Sequence, residues 1–394
     1  MTDERRARRP APRVLVALSV VTGLVFAWPF LYIVWRNLTL GSDFWGELTS
    51  ASTLEALGRT VALATTVALT AAALGTALAW LVVRTDVPFR RLWRVLAPLP
   101  LVFPSFVGAA ALIAALGRGG LVEKLVGEGA AAWLPPVHGF AGAWLVLTLF
   151  TYPYVLLPVA ARLAQLPPSL EESGRLLGRG RWAVVRTIVL PQCRGAIWAG
   201  GLLVFLYTVS DFGAVKLLRY DTLTTQIFAN RLFDRAQSFA LALVLALVAL
   251  VVVGAERANG RRAVQTEAMG AGRALVTPLG RWRVPALAAV VVVLGNALLG
   301  PVVTLGYWAV RGLTGTGSGS ADLADAAAPT LSSAGIGVLT AAVAVTVVLP
   351  LAYVTTRYRS RVGGAANTFV VSGFAIPGLV VALALGEVPG ERLA

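Results

Sequence analysis

Asp, Glu, Lys and Arg fall in clusters along this chain. Between the clusters lie long stretches without any of them, at 14–35, 60–83, 95–117, 129–161, 195–210, 236–255, 284–310, 326–356 and 362–386. A helix needs about 20 apolar residues to cross the hydrocarbon of a bilayer. Eight stretches reach that length, and 195–210, with 16 residues, falls short. The pattern predicts an all-α, polytopic membrane protein with about nine transmembrane helices.

Composition agrees: 57% of residues are apolar and 13% charged, far from the balance of soluble domains. The net charge of +15 would suggest nucleic acid in a soluble chain, but its placement gives another reason. With a cytoplasmic N-terminus and alternating sides, the inner segments hold 24 of the 34 Lys and Arg and have a net charge of +17, against −2 outside. Basic inner loops are what membrane insertion favours. The excess is therefore a topology signal, with anionic lipid as a secondary contact and no nucleic-acid partner. The opening MTDERRARRPAPR reads as a basic tail before a retained first span. Its apolar run of 22 residues is long for a signal peptide, and no small-x-small site follows it. A single cysteine, Cys193, excludes an intrachain disulfide and a multi-cysteine metal site.

The chain contains an internal repeat. RTVALATTVALTAAALGTALAWLVVRT, a basic loop (Arg90, Arg91, Arg94) and APLPLVFPSFVGAAALIAALG correspond to LSSAGIGVLTAAVAVTVVLPLAYVTTRY, a basic loop (Arg359, Arg361) and FVVSGFAIPGLVVALALG. Phe103-Pro104 aligns with Ile376-Pro377. The expected organisation is a basic tail (1–13), a first repeat of six spans (14–255), a Gly/Arg-rich cytoplasmic linker (256–283) and a second repeat (284–394) with three spans.

One inner loop, 162–194, carries the most specific pattern. Pro167-Pro168 precedes Ser169, which suits an N-cap of a short helix with Glu171 and Glu172 near its positive end. Glu172-Ser173-Gly174 is followed by Gly178 and then by Ile188, Leu190 and Pro191. Gly178 and Gly180 break the first helix, and 181–190 forms a second that Pro191 ends. The product is a compact knob with Leu176, Leu177 and Trp182 as candidate apolar contacts.

This spacing resembles the cytoplasmic EAA loop of ABC importer permeases; where that family usually has Ala among its small residues, this chain has Ser173 and Gly174. The resemblance implies a type I ABC importer permease fold in a bacterial inner membrane. It implies that Glu171, Glu172, Ser173, Gly174, Gly178, Ile188, Leu190 and Pro191 form a loop that docks on a separate ABC ATPase dimer. It also implies an extracytoplasmic substrate-binding protein as partner and alternating access as mechanism. The chain itself would bind no cofactor, ATP being held by the partner. Fused permeases of this family continue with three more spans and a second such loop, so the second repeat, which stops at VPGERLA, is expected to be incomplete.

Ser210 and Asp211 follow the short apolar run. If that helix continues to about Val215, it places a carboxylate near the outer mouth, where it lines a polar pathway or sits among headgroups. The stretch LYTVSDFGAVKLLRYDTLTTQIF resembles a segment of ferric-iron importer permeases, which implies a ferric-iron cargo. No iron site follows from the residues, because the spans hold no cluster of oxygen ligands. Thiamine or another small solute is the alternative cargo, a truncated remnant an alternative state, and a gradient-driven secondary transporter the alternative class. No Gly-x4-Gly-Lys-Ser/Thr loop is present, and the only lysines, Lys124 and Lys216, lie on the outer side. No residue set looks catalytic, which points to a transport component rather than an enzyme.

Overall fold

The computed structural model describes residues 12–39, 44–127, 137–231, 233–263, 275–313, 323–358 and 363–366, with single residues 370, 378 and 381. Among them the helices that build the bundle and its loops include α1 (Arg13–Thr39), α2 (Ala51–Arg84), α3 (Arg90–Leu96), α4 (Ser105–Leu116), α5 (Gly139–Thr151), α6 (Pro153–Gln165), α7 (Pro168–Leu176), α8 (Arg181–Val184), α9 (Arg194–Ser210), α10 (Gly213–Leu217), α11 (Leu223–Asn230), α12 (Arg235–Ala263), α13 (Arg283–Leu294), α14 (Gly300–Leu313) and α15 (Leu323–Tyr353). No named strand occurs among the described residues. Seven helical stretches are long and apolar enough to cross a membrane, and an eighth forms if Trp182–Gln192 and Arg194–Ser210, bent by 62°, make one crossing. The fold is that of a polytopic all-α membrane protein. The span expected at 362–386 lies almost wholly outside the described residues.

Two expected spans are built differently from the pattern. The run 195–210 is preceded by the helix Trp182–Gln192, which meets it at a bend of 62°; only the two together have the length of one crossing. The run 95–117 is interrupted: α3 ends at Leu96, a 3₁₀ turn covers Leu99–Val102, and α4 starts only after Pro104. Pro98, Pro100 and Pro104 remove the amide donors a continuous helix would need. The irregular stretch is held from inside the bundle, where the Tyr152 hydroxyl donates to the Ala97 carbonyl at 2.7 Å. Irregular backbone at membrane depth is tolerated where protein covers it.

The core is built on α2, α6 and α9, with Leu63, Val67, Ala71, Leu78, Val155, Leu156, Val159 and Val204 all buried. Two glycines let the backbones approach. A Cβ on Gly75 would lie 2.7 Å from the Tyr152 carbonyl oxygen, and one on Gly200 2.7 Å from the Val155 Cα. Such small-residue contacts drive helix association where lipid removes the hydrophobic incentive. A second cluster joins α1, α2, α11 and α12 through Ile33, Ala56, Leu223, Ile227, Phe239 and Leu245. Helix α15 rests on α1, with the Thr22 hydroxyl donating to the Val347 carbonyl at 3.2 Å and Leu351 buried, and most of its other described apolar residues are exposed.

The segment 256–283, expected to be a Gly/Arg-rich linker, has structure at both ends. Helix α12 runs on to Ala263, and Thr277 pairs with Thr85 in a short parallel bridge. The Thr277 amide donates to the Arg84 carbonyl at 2.8 Å, and the Leu279 amide to Asp86 Oδ1 at 2.8 Å. Absence of apolar periodicity hid this docking, because the backbone and one aspartate carry it.

Candidate functional site

Loop 162–194 forms a rigid knob. Helix α7 begins at Pro168, whose missing amide suits the first helical position; its N-cap is Pro167, with no side-chain cap bond. Ser169 is thus inside the helix, not its cap as expected. The helix ends at Gly178 in a Schellman arrangement. Gly178 has φ +78°, its amide donates to Arg175 O at 2.9 Å, and the Arg179 amide donates to Gly174 O at 3.1 Å.

The second helix also differs from expectation. After α8 the chain widens into a π-type turn at Val185–Val189, where the Leu190 amide donates to Val185 O, and helix resumes over Leu190–Gln192. Pro191 does not end it; the break falls at Cys193. A proline cannot donate to the fourth carbonyl before it and its ring crowds that carbonyl, and the wider turn absorbs both faults. The same turn recurs at Gly295–Leu299, just ahead of Pro301.

The expected residues divide between base and surface. Gly174 meets the second helix: a Cβ there would lie 2.6 Å from Ile188 Cδ1 and 3.3 Å from Val184 Cγ2. Glu171 is buried, whereas Glu172, Ser173, Gly178, Leu190 and Pro191 are exposed and Ile188 is half-buried. Leu176, Leu177 and Trp182 are 89%, 79% and 72% exposed. The Arg162 guanidinium ties α6 to the elbow through Gln192 O at 3.2 Å and Gln192 Oε1 at 3.3 Å. The result is a knob fixed at its root that presents an apolar tip on a charged surface.

Sequence reasoning missed Arg84. Its Nη2 lies 2.9 Å from Glu171 Oε1, with both side chains buried, and Arg175 stands 3.9 Å from the other carboxylate oxygen. An arginine that ends an apolar run reads as a topology marker, and nothing in the sequence points across 87 residues to Glu171. Beside it Arg94 donates to the carbonyls of Val82 (2.8 Å) and Val83 (3.4 Å), which caps α2. Burial first, and then Arg90 and Arg91, lower the Arg94 pKa from its usual value.

Ser210 and Asp211 lie at the other end of α9. The helix stops at Ser210, whereas continuation to about Val215 was expected; Asp211 is extended. Asp211 Oδ1 accepts from the amides of Ala214 (3.0 Å) and Val215 (3.3 Å), which starts the short helix α10. Its other oxygen accepts from the Ser105 hydroxyl at the start of α4, and Thr224 donates to its carbonyl at 2.8 Å. The carboxylate is buried and committed to joining α4, α9 and α10. Among the described residues no group of His, Cys, Asp and Glu is placed to hold a metal ion.

An apolar helical bundle with a knob at one end is the architecture of a polytopic membrane protein. The family of binding-protein-dependent transport system inner membrane components matches residues 64–263, and the chain belongs to that family. It is the permease of an ABC importer, multi-pass in the inner membrane. The Fe(3+)-transport system permease protein FbpB 2 of Haemophilus influenzae is 30% identical over 387 residues, which covers 96% of this chain and 72% of that protein. The molybdenum transport system permease protein ModB of Escherichia coli is 33% identical over 138 residues, 34% of this chain and 58% of ModB. The sulfate transport system permease protein CysT of Escherichia coli is 25% identical over 243 residues, 60% of this chain and 86% of CysT. A solved bacterial alginate ABC transporter, in complex with an alginate pentasaccharide-bound periplasmic protein, shares 18% identity at a TM-score of 0.44, over 58% of this chain and 84% of that one.

Proposed function

We propose that this permease imports ferric iron by alternating access, with loop 162–194 as the contact through which a separate ATPase dimer drives it. The observation that carries the coupling role is the knob itself: a buried root at Glu171 and Gly174, and an exposed tip of Leu176, Leu177 and Trp182. A tip of this kind fits a groove on a partner, and a fixed root passes the partner's displacement to the spans. The ferric cargo is supported by the match to FbpB 2, which extends over 96% of this chain.

In this reading ATP stays on the partner subunits, and an extracytoplasmic binding protein delivers the cargo. The N-terminus is cytoplasmic, which puts the knob on the inner side with the basic loops. Residues 14–255 and the residues from 284 onward act as two repeats. Asp211, next to Ser210 at the end of α9, holds the start of α4 there and does not coordinate the cargo.

An oxyanion cargo is the second reading, favoured by the matches to ModB and CysT. Proteoliposomes containing the permease, its ATPase and its binding protein decide between them. Nucleotide-dependent uptake of radioactive ferric iron, unaffected by excess molybdate or sulfate, is expected. Uptake of molybdate or sulfate in place of iron would overturn the iron reading.

A further inference from the structure

Three segments far apart in sequence meet at Arg84. It is the last residue of α2, and its side chain is 2% exposed. Its Nη2 lies 2.9 Å from Glu171 Oε1 on α7, a buried ion pair without hydrogen-bond alignment. Nη1 reaches the Leu275 carbonyl at 3.5 Å, and the Arg84 carbonyl accepts from the Thr277 amide at 2.8 Å. Asp86 adds the bond to the Leu279 amide, just before the chain turns into α13. The strap 275–279 thus joins α13 to the root of the knob.

Two buried opposite charges interact far more strongly than a surface pair, and removing one partner leaves the other stranded. The guanidinium is planar and offers several donors in fixed directions, so one side chain can hold two segments at once. The loop's exposed residues can contact a partner, but only its root can hand motion onward.

We propose that Arg84 is a positioning residue that locks α7, the end of α2 and the strap leading to α13 into one unit. A displacement of the knob then moves α2 and α13 together. This rests on the reading of loop 162–194 as the ATPase contact, but its structural half stands without it. A lysine at position 84 can pair with Glu171, but its single nitrogen replaces the two that reach Glu171 and the Leu275 carbonyl separately, so it holds the pair of segments less well. The lock therefore needs arginine in full and tolerates lysine in part.

The test uses the full chain in lipid nanodiscs with spin labels on Leu176→Cys and Val276→Cys, both exposed sites, one on the knob and one on the strap. The parent is expected to give one narrow distance distribution. Arg84→Met and Glu171→Gln broaden it, the double variant broadens it no further than either single one, and Arg84→Lys restores much of the narrowness. In proteoliposomes with the ATPase and binding protein, but without labels, ATP hydrolysed per ion imported rises about fivefold in Glu171→Gln, while ATPase association persists. Glu171→Gln keeps the shape of the side chain, so the question is decided even if Arg84→Met fails to fold. A narrow distribution that survives in Glu171→Gln, or additive effects in the double variant, would overturn the proposal. If the parent never assembles with an ATPase, the contact reading falls, and the distance measurement still decides the lock.

Discussion

Replacing Gly178 with alanine separates the backbone geometry of the knob from its surface chemistry. Gly178 has φ +78°, and an added Cβ would meet nothing within 4 Å. Any effect of the methyl group therefore comes from the backbone and not from a clash. Holding an L-residue in the left-handed region costs roughly 1–2 kcal/mol. That corresponds to a factor of about 5–30 in the equilibrium between the closed Schellman end and an opened one. The two bonds at stake are Gly178 N to Arg175 O and Arg179 N to Gly174 O. Their loss moves Leu176 and Leu177 out of register, so the affinity for the ATPase subunit should fall by about the same factor. Gly178→Asn should recover part of it, since asparagine enters the left-handed region more readily. Gly180→Ala is the control, because Gly180 has no positive φ and open space around it. Surface-immobilised permease with titrated ATPase reads the affinity directly. Equal affinities for Gly178→Ala and the parent, or equal losses at Gly178 and Gly180, would refute the reasoning.

Other outcomes follow from the packing. Gly200→Ala forces a methyl group against the α6 backbone and should lower the melting temperature in detergent, whereas Gly201→Ala, with nothing within 4 Å, should not. Asp211→Ala strands the Ala214 and Val215 amides and the Ser105 hydroxyl. It should destabilise the protein by about 1–3 kcal/mol, read by chemical unfolding, with the cargo KM unchanged in the folded fraction; a raised KM would place Asp211 on the cargo path. Gly174→Ala should be mild, because the flexible tip of Ile188 can move aside and Val184 need shift only slightly, and Gly174→Leu should part the two helices of the knob. Hydrogen exchange at 168–192 separates these two cases.

Much of this architecture is legible in the chain because apolar run length is a strong signal. The seven helical stretches that qualify as spans each overlap a run free of charge. The knob was legible because Pro168, Gly174 and Gly178 each have a local reason to be where they are. Three things were not legible. The interruption at 97–104 was hidden inside an apolar run, and only the density of Pro98, Pro100 and Pro104 hinted at it. The π-type turn before Pro191 depends on how the chain accommodates a missing donor, and a broken helix was an equally good reading. The Arg84–Glu171 pair is a contact of high sequence separation, and no local pattern announces such contacts. The docking of 275–279 on 84–86 was missed for a related reason, since backbone pairing leaves little trace in residue type.

The central claim is that the tip of loop 162–194 is where a separate ATPase takes hold. Binding of that ATPase to nanodisc-embedded Leu176→Ser/Leu177→Ser permease tests it most directly. Burying a leucine contributes about 1.5–3 kcal/mol, so removing two that are 89% and 79% exposed in the free permease should weaken the complex by well over tenfold and leave the permease folded. Unaltered affinity in the double variant would contradict the account.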